Sequence, residues 1–194
     1  MKTPIKITAG LLLLTWLTGC IVTSVYPFYT AKDVVFDPAL VGAWAEKDTT
    51  NAANEHWRFA KGEENAYVLT VQDKDKRTEF DARLFQLKGQ LFFDFYSRER
   101  TENSLPVHYL LKVNRTEPTL QLSLMNYDWL KKLIKKNPKA IRHMWAPQKP
   151  GESGDDDGEL VLTADTAELQ RFILKQAKAE EAFSEFVVMK RWTP

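Results

Sequence analysis

Leu120, Leu122 and Leu124 alternate with Gln121 and Ser123, the clearest period-two stretch in the chain. Side chains on a strand point alternately to opposite faces, so this spacing predicts a strand with one buried face and one wet face. Tyr109, Leu111 and Val113 repeat the pattern just upstream, joined through Glu117-Pro118. Earlier runs read the same way: the region of Trp44, then residues 55–59, 67–71 and 80–87. They are rich in β-branched or aromatic residues and separated by polar clusters such as Asp73-Lys74-Asp75-Lys76. Lys88-Gly89, set between Leu87 and Leu91, predicts a tight hairpin in which glycine supplies a positive φ. Near Leu84-Phe85 the apolar positions change from even to odd, which predicts a bulge or sharp bend of the kind that lets a sheet curl. A closing strand is expected through Phe186, Val187, Val188 and Met189.

Two stretches carry the helical period instead. Trp129, Leu130, Leu133 and Ile134 form an apolar stripe opposite Lys131, Lys132, Lys135 and Lys136, capped by Asn126 or Asp128 and ending before Pro138. The second helix starts at Asp165 with Glu168 three residues on, the spacing of a capping box, and carries Leu169, Phe172, Ile173 and Gln176 on one side. Between the helices, residues 147–158 are rich in Pro, Gly and Asp and read as an exposed loop. The expected fold is mainly β with two helices (α+β), built on an antiparallel curled sheet or barrel.

Composition narrows the function classes more than it names one. A chain of 194 residues with 44% apolar and 27% charged content suits one globular domain. The formal net charge is +1, and without residues 1–19, which contain Lys2 and Lys6, it is −1, so the basic bias of a nucleic-acid surface is missing. Cys20 is the single cysteine, which excludes an intrachain disulfide and a cysteine-based zinc site. His56, His108 and His143 are dispersed and offer no metal-binding pair; Asp155-Asp156-Asp157 lacks the alternating oxygen ligands and distal Glu of a calcium loop. No nucleophile elbow, phosphate-binding glycine loop or dinucleotide fingerprint is present, so no catalytic residue, metal or cofactor is expected.

The amino-terminal segment is the most specific. Lys2 and Lys6 precede an uncharged run over residues 7–17, followed by the small residues Thr18 and Gly19, the three-part plan of an export signal. A membrane helix needs about 20 apolar residues, a length reached only by taking in residues 21–25, and Pro27 and the polar interruptions disfavour it. Leu17-Thr18-Gly19-Cys20 resembles the lipobox of bacterial lipoproteins. The resemblance implies that residues 1–19 are a cleaved signal and that Cys20 receives a diacylglyceryl thioether and then an N-acyl chain. Ile21 stands where Asp would mark inner-membrane retention, so the implied address is the periplasmic face of the outer membrane. Residues 20–35 are then expected to be an acylated tether, and residues 36–194 a single β-rich domain.

Residues 36–44, containing Gly42-x-Trp44, resemble the first motif of lipocalins and related calycins. In that family the Trp closes one end of a barrel beneath a basic residue from the last strand, a role that falls here on Trp44 and Arg191, or Lys190. If the sheet curls, Tyr67, Phe80, Phe93, Phe95, Leu122 and Leu124 are the candidate ligand-lining residues, or else plain core. Asp94, between Phe93 and Phe95, is read as facing solvent by alternation or as binding a polar ligand group. Lys131, Lys132, Lys135 and Lys136 are the candidate surface contact, for lipid or a protein, or else a solvated face. The wider pattern is similar to bacterial lipoproteins of an uncharacterised group. The expected function is non-enzymatic binding of an apolar small molecule or lipid at the envelope membrane. The alternative is a structural or assembly partner of another envelope protein.

Overall fold

The computed structural model describes residues 21–99, 106–147 and 158–193. The alternating runs form strands that pair in sequence order, because short turns return each strand against its predecessor. In chain order the elements are β1 (Thr23–Ser24), β2 (Gly42–Glu46), β3 (Glu55–Lys61), β4 (Tyr67–Asp73), β5 (Lys76–Leu87), β6 (Gln90–Ser97), β7 (His108–Thr116) and β8 (Thr119–Met125). They continue with α1 (Tyr127–Lys136), β9 (His143–Ala146), β10 (Glu159–Leu162), α2 (Thr166–Gln176) and β11 (Phe183–Trp192). Strands β2 to β8 pair antiparallel in succession, and β11 closes the ring by pairing with both β8 and β2. The result is a closed eight-stranded antiparallel barrel, lipocalin-like in architecture.

The β5–β6 turn is the expected two-residue hairpin, with Lys88 at φ 46° and Gly89 at φ 84°. Its register runs unbroken from Phe80 opposite Ser97 to Leu87 opposite Gln90. The expected bulge at Leu84-Phe85 is therefore corrected. The apolar phase changes there because the buried face changes: Leu84 fills the barrel, while Phe85 packs outside it under the helices. A register shift lies instead between Glu185 and Val187, where β11 passes β8.

The helices and β9–β10 form an insertion between β8 and β11 that leaves the barrel at one end and folds along its outer wall. Phe85, Leu87, Phe92 and Leu110 on that wall meet Leu130, Ile134, Leu169, Phe172 and Ile173 in a second core. Asn126 Oδ1 accepts from Trp129 N at 3.1 Å and caps α1; Asp165 Oδ1 accepts from Glu168 N at 2.9 Å and caps α2. Glu168 does not complete a capping box. Its carboxylate accepts instead from Arg142 Nε at 2.6 Å, which ties β9's approach to α2.

Residues 21–35, expected as a tether, are built into the domain. Strand β1 pairs antiparallel with β7 and parallel with β10, and Val22, Thr23, Ser24 and Phe28 are buried. Isolated bridges join Ile21 to Asn126 and Val34 to Phe85. Helix α2 holds the following stretch: Thr166 Oγ1 donates to Pro27 O at 2.7 Å, and Gln170 Nε2 donates to Phe28 O at 3.1 Å. The described domain thus already includes residues 21–35, ahead of the expected start at Phe36. The two residues of β1, Thr23 and Ser24, are both polar and too few to carry a readable period. Cys20, the signal expected in residues 1–19 and the Asp155-Asp156-Asp157 cluster lie outside the described residues.

Candidate functional site

The barrel's two ends differ. At the end holding the β3–β4, β5–β6 and β7–β8 turns, the 3-10 turn Pro38–Leu40 lies across the opening, its Asp37 cap accepting from Ala39 N at 2.9 Å. Trp44 is buried and donates from Nε1 to Leu40 O at 2.9 Å. The Arg191 guanidinium stands 4.3 Å from the Trp44 ring centroid, donates to Val41 O at 2.7 Å and also bonds Ala39 O. Gly42 has φ 130°, and a Cβ there would collide with Arg191 Nη1. Phe36 stacks on Tyr67 at 4.9 Å, and the Tyr67 hydroxyl donates to Asp37 O at 3.0 Å and accepts from Asp37 N at 2.7 Å. Burial pushes the Tyr67 phenol up to about 12. Arg115 completes the plug by pairing with Asp37 and Glu117.

The middle of the barrel is filled by rings. Phe59 stacks on Phe93 at 5.4 Å, Tyr67 meets Phe93 edge-on at 5.9 Å, and Leu69, Leu84, Leu120, Leu122 and Met189 are buried among them. Of the six candidate lining residues, Tyr67, Phe93 and Leu122 belong to this packed layer.

The other three, Phe80, Phe95 and Leu124, gather at the opposite end. There Trp57 lies 6.0 Å from Phe95 and 6.4 Å from Phe186, and Phe80 lies 6.0 Å from Phe95 and 6.3 Å from Tyr109. Phe80, Tyr109, Leu124 and Phe186 are only partly buried, so among the described residues this end is an aromatic mouth that carries no plug like the first. Strand β1 extends its wall, because Thr23 pairs with Tyr109 and Val161 and presents its side chain to the same face.

Two polar atoms here meet no hydrogen-bond partner among the described residues: Trp57 Nε1 and Thr23 Oγ1, each on a residue 2% exposed. Leaving a buried donor unpaired costs about 1–3 kcal/mol. Burial chiefly, and the Glu159 carboxylate secondarily, push the Tyr109 phenol up, so it remains a neutral hydroxyl. By alternation from Trp44, Trp57 and Val71, residues Glu46, Glu55 and Asp73 share the inner face at the rim. Burial first, then Asp48 and Glu55, push the Glu46 carboxyl up.

Trp57, Tyr109, Phe186 and Thr23 are absent from the sequence-derived lining set. The first two lie in phase with their strands' apolar positions and were open to the same argument. Phe186 sits in the register shift, and Thr23 carries no sequence signal.

Asp94 departs from its expected solvent-facing place. It points outward from β6, as alternation requires, yet is 2% exposed because the Phe28 segment lies over it. Its carboxylate accepts from Phe28 N at 2.9 Å and contacts His108 Nδ1 at 2.7 Å. It fastens the docked amino-terminal segment to the barrel. His56 Nδ1 lies 3.1 Å from Ala52 O and His143 Nδ1 lies 2.9 Å from Ile141 O, so the three histidines stand apart. On α1, Lys132, Lys135 and Lys136 are exposed, whereas Lys131 is half-buried with its ammonium 5.9 Å from the Trp145 ring centroid. A shallow depression of about 410 Å³ lies between Pro138, Ile141, His143 and Thr163. Its Arg142 is already engaged by Asp165 and Glu168.

No protein-family model, curated protein or solved structure matches this chain.

Proposed function

We propose that this protein is an envelope lipoprotein, held by acyl chains on Cys20 at the periplasmic face of the outer membrane, whose barrel mouth binds an apolar small molecule or lipid. The observation that carries the reading is the unequal filling of the barrel. One end is plugged by Trp44, Arg191 and the Pro38–Leu40 turn, whereas the other leaves Phe80, Tyr109, Leu124 and Phe186 half-exposed around a buried indole. Apolar sites are typically concave, lined by aromatic side chains and furnished with a few polar groups.

Native mass spectrometry and solvent extraction of the full protein purified from membranes test the binding half. A recurrent apolar species, released by solvent and displaced by a neutral naphthylamine dye, is the expected result. Repeated recovery of ligand-free protein that takes up no dye overturns it and favours the protein-partner alternative. Palmitate labelling tests the anchor: Cys20→Ala should abolish it, and labelling that persists removes the lipoprotein reading.

A further inference from the structure

The mouth's polar atoms constrain what can enter it. Trp57 Nε1 is a donor only, and its ring neighbours Phe59, Phe95 and Phe186 offer it no carbonyl or hydroxyl. An apolar molecule carrying its own acceptor satisfies the indole and buries against the rings in one step. A second unpaired group, the Thr23 hydroxyl, lies beside Tyr109 on the wall added by β1.

The charge around the opening decides the kind of acceptor. Glu46, Glu55 and Asp73 share the inner face at the rim on the β2–β4 side, and Glu159 lies near Tyr109 on the other. Lys47, Lys74 and Lys76 stand exposed in the turns at the same end, with Asp48 and Asp75 beside them, so among the described residues the rim carries more carboxylates than ammonium groups. A carboxylate or phosphate head would approach against this field, whereas an uncharged carbonyl would not.

Resting on the apolar-binding reading, we infer that the ligand is an uncharged, carbonyl-bearing apolar molecule, of the ester or ketone class, whose carbonyl oxygen accepts from Trp57 Nε1. Trp57 fixes the head, Phe80, Phe95, Tyr109 and Phe186 receive the apolar body, and the acidic rim rejects anionic amphiphiles.

Displacement of bound N-phenylnaphthylamine from the full chain in non-ionic detergent, using methyl laurate, laurate and tridecane, tests this. Methyl laurate should displace the dye about fivefold more effectively than tridecane, the value of one hydrogen bond. Laurate should be the weakest of the three. Trp57→Phe should bring methyl laurate down to the level of tridecane while tridecane itself is unchanged. In the unsubstituted protein, the Trp57 indole N–H resonance should move with methyl laurate and not with tridecane, a readout that needs no variant. Equal displacement by ester and hydrocarbon, or laurate equalling the ester, overturns the inference and leaves apolar binding standing. Failure of all three to displace the dye, or of the dye to bind, overturns the apolar-binding reading and this inference with it.

Discussion

Gly42 and Arg191 act as a pair. The backbone at Gly42 sits at φ 130°, a region that residues with a Cβ rarely enter, and the space a Cβ would need is taken by the Arg191 guanidinium. Gly42→Ala should lower stability by more than about 1 kcal/mol, through backbone strain and displacement of the arginine. Arg191→Ala should cost about 1–2 kcal/mol, losing the stacking on Trp44 and the bonds to Val41 O and Ala39 O. Urea midpoints at constant m-value check both, and Arg191→Lys should recover only part of the loss. Tyr67 gives a pH signature. Its folded phenol is pushed by burial to about 12, above an unfolded value of about 10. Between those values the folded state keeps a proton that the unfolded state has released. This contribution is complete below about pH 10 and is lost as the pH rises towards 12. Tyr67→Phe should flatten the fall in stability over that window, measured by urea unfolding at stepped alkaline pH. The glycine and tryptophan of this plug are visible in the chain as a short motif. The reason for the glycine lies in a residue 149 positions away and becomes visible only when β11 meets β2.

At the level of elements, the hairpin between β5 and β6 is a simple lever. Lys88 and Gly89 both take positive φ, the two-residue turn that favours Asn-Gly. Lys88→Asn should raise stability by a few tenths of a kcal/mol, and Gly89→Ala should lower it by about 1 kcal/mol although no atom crowds the site. Thermal unfolding of the two variants checks the opposite signs. Such turns, and the strands they join, were legible because hydrophobic alternation and turn chemistry act over a few residues. The helices were legible for the same reason, through the stripe of Leu130 and Ile134 and the Asp165 cap. Strand β9 and strand β1 were not. Four and two residues respectively carry no readable period, and their pairing depends on partners more than 10 and 80 positions away. The rim register and the outward but buried Asp94 were hidden likewise, since burial there is set by a segment distant in sequence.

On the scale of the molecule, strands β5 to β7 serve two cores, with Leu84, Phe93 and Leu111 inside the barrel and Phe85, Phe92 and Leu110 outside it. The phase change at Leu84-Phe85 is the sequence trace of this double duty. Because the cores share strands, they should melt together. Phe85→Ala should remove about 3–5 kcal/mol. The far-ultraviolet and near-ultraviolet transitions should nevertheless remain coincident in the variant. Separation of the two curves would mean that the helical layer unfolds on its own.

The docked amino-terminal segment also sets a distance. Free, the fifteen residues from Ile21 to Val35 could reach roughly 50 Å at about 3.3 Å per residue. Docked as they are, with Ile21 bridged to Asn126 and Phe28 fastened to Asp94, they supply almost no slack. A barrel acylated at Cys20 would be moored instead of leashed. It could not sweep the surrounding space for cargo, and its exchange of ligand would be confined to the surface on which it rides.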